Sequence, residues 1–177
     1  MSSKRRLLAN LFRLTLLSAF LLVLVGCMPD PQPTVEDFER TINSTDVTAS
    51  LQYVQVRERG PIYEIAMTVP DDWVGSFEIE GTGNQLLFNY LVDGDIPALI
   101  FFVEALSEEQ YWEQIGSYPG DYTNVVFTDD TYFVYRLPVD PVFATLDEEL
   151  YAGFSEQVPT AMSSFSIERV DSMLMMP

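Results

Sequence analysis

Histidine is absent from these 177 residues, lysine occurs once, at Lys4, and cysteine once, at Cys27. Each shortage removes a class of chemistry. Without histidine there is no Ser–His or Cys–His nucleophile pair and no imidazole ligand for a metal. With lysine confined to the N-terminus, Ser–Lys catalysis and Schiff bases are excluded from the rest of the chain. A lone cysteine closes no internal disulfide. Phosphate loops are missing too, because Gly81-Thr82-Gly83 lacks the glycine and lysine that would have to follow. The sequence implies no cofactor and no catalytic residue. Only carboxylate chemistry is left.

Carboxylates are plentiful. The chain holds 27 acids against nine bases, for a net charge of −18. Four of those bases (Lys4, Arg5, Arg6 and Arg13) precede position 27 and no acid does, so the remainder sets five arginines against 27 acids, net −22. Such a surface repels phosphate backbones and excludes nucleic acid as a partner. It attracts cationic partners, or serves solubility in a salty or acidic exterior. Hydrophobic residues make up 47% and aromatics 13%. That is enough apolar surface for a packed core rather than a disordered tail.

The single cysteine has a telling position. Lys4, Arg5 and Arg6 form a positive start, followed by thirteen uncharged residues over 14–26. That length suits the apolar core of a secretory signal and falls short of the roughly 20 residues that span a bilayer. Leu24-Val25-Gly26-Cys27 then reads as a bacterial lipobox. Leu24, Val25 and Gly26 are the recognition residues for the signal peptidase, and Cys27 is the lipidated residue. An uncleaved anchor over 7–25 would draw Arg13 into the apolar stretch, at about 2.5–3.5 kcal/mol if central. Two or three acyl chains hold a protein durably where one does not. The expected location is the extracytoplasmic face of the cell membrane, reached through an N-terminal lipid.

The expected division follows: a signal over 1–26, a lipidated cysteine and proline-rich stalk over 27–34, one domain over 35–170 and a flexible tail over 171–177. Removing 26 residues from 177 leaves 151. A chain of that size buries roughly 68–70% of its unfolded surface and folds without disulfides or metal. Thr34 and Asp37 read as a capping box for a helix over 35–43. Alternation predicts strands over 47–59, 63–69, 76–80 and 85–92, with Trp73 as a core plug between the second and third. Residues 98–105 are almost continuously apolar and read as a central strand covered on both faces. Ser107 opens a helix with Tyr111, Trp112 and Ile115 as its apolar stripe, ended by Gly116. A hairpin follows at 124–127 and 131–137. A last helix over 146–162 carries Leu150, Phe154, Val158 and Met162, with Pro159 predicting a kink or break. Residues 164–168 form a closing strand. This order predicts an α+β fold, mainly antiparallel sheet with helices packed on it.

Several stretches resemble a known pattern. Val69-Pro70-Asp71-Asp72-Trp73-Val74-Gly75-Ser76-Phe77-Glu78-Ile79 is similar to the "LPxxWxGxYxV" opening of an uncharacterised bacterial secreted and lipoprotein domain. Leu99-Ile100-Phe101-Phe102-Val103 resembles the central strand of that domain. Tyr132-Phe133-Val134-Tyr135-Arg136-Leu137-Pro138 resembles the strand before its last helix, and Ser164-Phe165-Ser166-Ile167 its closing "SFxI". The resemblance runs from about residue 63 to 168. The order of elements also resembles the Mog1/PsbP-like α/β sandwich, which implies a fold and no activity. The family has no assigned activity, so no site residues transfer.

Three functions fit these constraints. The leading expectation is a non-enzymatic, monomeric binding or scaffold domain at the cell envelope, with an envelope protein or glycan as partner. A carboxylate-dependent glycan hydrolase would need two acids facing across about 5–9.5 Å. A calcium-responsive module would draw on Asp71-Asp72, Asp93-Gly94-Asp95 or Asp129-Asp130. None of these fits a calcium-loop pattern, and aspartate is at home in turns for its local hydrogen bonds.

Overall fold

Nine antiparallel strands in two sheets, with two α-helices, make up the described part of this computed structural model, so the fold is α+β. The structure describes residues 34–56, 58–93, 96–117, 121–138 and 146–170. Leu24, Val25, Gly26 and Cys27, nearly all of the stalk, and the 171–177 tail lie outside the described residues. Pro33–Pro177 forms one compact unit.

The larger sheet runs β1 (Phe38–Thr41), β4 (Phe77–Gly81), β5 (Gln85–Val92), β6 (Ile96–Leu106), β8 (Tyr132–Arg136), β7 (Thr123–Phe127). The smaller runs β2 (Asp46–Leu51), β3 (Tyr63–Thr68), β9 (Ser166–Arg169). Alternation explains β3 directly: Tyr63, Ile65 and Met67 are buried, while Glu64, Ala66 and Thr68 face water. β6 lies between β5 and β8 and is buried on both faces toward its end. Its uninterrupted apolar sequence answers to that position. Helix α1 (Glu108–Ser117) packs on β6, and α2 (Glu148–Met162) packs against β6 and β3, one strand from each sheet.

The core between these layers is aromatic. Trp73, in a 3-10 turn over Asp71–Trp73, is fully buried and stacks on Phe77 at 4.6 Å between ring centres. Phe88 stacks on Phe101 at 4.3 Å, and Phe154 from α2 meets Phe77 edge-on at 5.0 Å. Offset and edge-on pairs of this kind contribute about 0.5–1.5 kcal/mol beyond burial.

Four expectations need correction. The predicted helix over 35–43 is not there: residues 34–37 are irregular and β1 pairs with β4 in register from Phe38↔Gly81 to Thr41↔Glu78. The free edge of β4 supplies ladder hydrogen bonds that outweigh a weak local helix signal. The strand expected over 47–59 stops at Leu51. Beyond it the chain turns back on itself, with one bridge between Val54 and Arg59, and leaves Val56 fully exposed. Trp112 is 60% exposed rather than part of the buried stripe of α1, because it lies about 100° round the helix from Tyr111. Pro159 does not break α2, which continues to Met162. Its ring is exposed, and the helix continues with the loss of one bond, to the Ser155 carbonyl.

Candidate functional site

Carboxylates are the only abundant reactive groups, so where they cluster decides the candidate site. Glu104 is the buried one, on β6. Its Oε1 accepts from Gln85 Nε2 at 2.9 Å and Asn84 Nδ2 at 3.3 Å. Burial pushes its carboxyl above the ordinary range, against the opposing pull of the Gln85 hydrogen bond and of Arg136. Arg136 is itself engaged by Asp121 at 3.2 Å and stacks over Tyr122. This network ties β6 to β5.

Asp130 has a second structural role. Its Oδ1 accepts from Tyr63 Oη at 2.8 Å and from the hydroxyls of Thr128 and Thr131 at 2.9 Å each. Its Oδ2 accepts from Arg169 Nη1 at 3.0 Å. Burial alone would raise this carboxyl, but the hydrogen bonds and the guanidinium together hold it below the ordinary aspartate range. The node ties the β7–β8 turn to β3 and β9, joining the two sheets. Asp130 is therefore a clasp between the two sheets.

Asp93 sits in a left-handed turn, Asp71-Asp72 in the 3-10 turn, and Gly94 and Asp95 lie outside the described residues. Among the described residues no three carboxylates converge as a metal site.

The third set lines an open groove of about 410 Å³ beside the N-terminal half of α2. Asp147, Glu149, Leu150, Gly153, Phe154 and Gln157 come from the helix and its cap, and Asp72 from the 3-10 turn. Asp147 caps α2, accepting from the backbone N–H of Glu149 at 2.9 Å and of Leu150 at 3.4 Å. Opposite it, the buried indole N–H of Trp73 donates to Gln157 Oε1 at 2.6 Å, and Gln157 Nε2 donates to Asp72 Oδ2 at 3.1 Å. A side chain rigid in the core thus orients a carboxylate at the rim. Leu150 is 40% exposed, and with Phe154 it gives the groove an apolar floor.

No protein-family model, curated protein or solved structure matches this chain. The site therefore stands on its own geometry. From the sequence, Asp72 was a calcium candidate and Leu150 and Phe154 were core stripe. Asp147, Glu149 and Gln157 carried no expectation. The one available signal was Gly153, a glycine within a helical pattern, which calls for a packing or functional reason. A second groove, of about 680 Å³, lies between the 54–58 turn and α1. Gln55 and Gln110 there are bound to Ser107 and the Val54 carbonyl, so its walls are structural.

Proposed function

We propose that this chain is a lipoprotein tethered through Cys27 to the outer face of a cell membrane, whose acidic domain binds a partner at the envelope without chemistry of its own. The groove beside α2 carries this reading. It combines apolar side chains with an oriented carboxylate and is open to solvent, as a recognition surface is. The net charge of −22 from residue 27 onward favours a cationic partner and disfavours anionic head groups. At finer grain, we assign the two sheets and their helices to a Mog1/PsbP-like sandwich of the secreted-domain type that the Pro70-to-Ile79 stretch resembles.

Cys27→Ser tests the tether. The wild-type chain is expected in the membrane fraction with a lipidated N-terminal cysteine by mass spectrometry, and the variant unlipidated with its signal uncut. An unmodified Cys27 in the wild type, or normal signal cleavage in the variant, refutes the assignment.

A second reading, glycan hydrolysis, draws on the same groove, which Asp72 and Glu149 line from separate elements. Release of reducing ends from envelope glycan, lost in both Asp72→Asn and Glu149→Gln, would replace binding with catalysis.

A further inference from the structure

Gly153 is unexplained by the fold. It lies inside α2, where glycine is the poorest residue after proline, and its backbone is ordinary helix. A Cβ built there meets nothing within 4 Å. Neither a tight contact nor a left-handed turn requires glycine at this position. Its bare Cα leaves room in the groove that Leu150, Phe154, Gln157 and Asp72 also line. Glycine in such a place allows close approach to the backbone from outside.

We infer that this groove seats a basic segment of a partner protein, with an arginine or lysine stem lying across Gly153. This rests on reading the domain as a binding module, and it names the partner's chemistry. The occupant follows from complementarity. Arginine and lysine carry an apolar stem and a cationic head, matching a floor of Leu150 and Phe154 beneath the carboxylates of Asp72, Asp147 and Glu149. The hydrogen-bond chain from buried Trp73 through Gln157 holds Asp72 in place before any ligand arrives, so less ordering is lost on binding. The groove opens to solvent, so a peptide can reach it. A small cation would call for an enclosed pocket instead.

The test uses the mature protein from residue 27 onward in nonionic detergent and a fluorescent peptide alternating arginine and glycine. A peptide with glutamine in place of arginine and free spermine are the comparison arms. Gly153→Leu fills the groove, and Gly116→Leu makes the same change in α1, where a Cβ also meets nothing within 4 Å. We expect saturable anisotropy for the arginine peptide alone, weakened at least tenfold by Gly153→Leu and unchanged by Gly116→Leu. The Tm of Gly153→Leu should equal or exceed the wild-type value, which separates occlusion from misfolding. Asp72→Asn should weaken binding in the same assay. Equal binding by wild type and Gly153→Leu overturns the groove as the seat but leaves a cation-binding domain. Spermine binding as tightly as the peptide overturns the protein segment as occupant. Absence of binding by wild type overturns the inference outright, while mass spectrometry of Cys27 still decides the tether on its own.

Discussion

Two carboxylates, Glu104 and Asp130, show how the same residue type is pushed in opposite directions by its surroundings. Burial dominates at Glu104, and its two amide donors and distant guanidinium do not compensate, so the charged form is disfavoured. At Asp130 three hydroxyls and Arg169 outweigh burial. The consequence for Glu104 is a pH-dependent cost. Below the ordinary value of 4.5, folded and unfolded chains both hold the proton and the site is neutral in each. Above it the unfolded chain ionises first, so rising pH favours unfolding until the raised folded value is passed. Glu104→Gln keeps an acceptor for Gln85 and removes the charge. It should raise the thermal midpoint at pH 7 and leave it unchanged at pH 4. A lower midpoint at pH 7 would mean that Glu104's attraction to Arg136 exceeds its desolvation. Asp130 runs the other way: its contribution is present above 3.8 and is lost as pH falls through its depressed value.

Among the elements, strands with clean alternation were legible and those decided by a distant partner were not. β3 begins and ends within a residue of its predicted limits because period-two burial is written into it, and β5 keeps its predicted limits despite an irregularity at Phe88/Asn89. β1 was misread as a helix, since Val35, Phe38 and Ile42 fit a helical period and nothing local reveals that β4 lies open beside them. The chain after Leu51 likewise alternates, yet it turns away because the ring of Tyr53 covers Gly60. The Gly60 N–H donates to the Tyr53 carbonyl at 3.0 Å, and a Cβ at Gly60 would lie 2.2 Å from Tyr53 Cε1 and 2.9 Å from Cγ. Tyr53 is buried and donates to Glu58 at 2.9 Å, so the ring cannot swing aside cheaply. Gly60→Ala should therefore cost about 1–3 kcal/mol in urea unfolding, as overpacking does. A change below about 0.5 kcal/mol, within the range of ordinary surface substitutions, would show that the turn accommodates a methyl group.

At the scale of the whole molecule, charge dominates. A net −18, or −22 from residue 27 onward, makes the folded state repel itself at low ionic strength. Raising sodium chloride from about 10 to 150 mM shortens the screening length from roughly 30 to 8 Å and should raise Tm. A flat or falling Tm would place the acids too far apart to matter. The sequence by itself determined the absent chemistries, the acidic surface, the α+β class and the strands whose faces alternate, because composition and period are local properties. Only the tertiary structure decided that Phe38 pairs in a sheet, that Trp112 faces water, that Asp130 clasps two sheets, and that Asp72 meets Gln157 and Gly153 in one groove. Those residues lie far apart along the chain, and hydrogen bonding and packing across that separation exist only once the layers have closed.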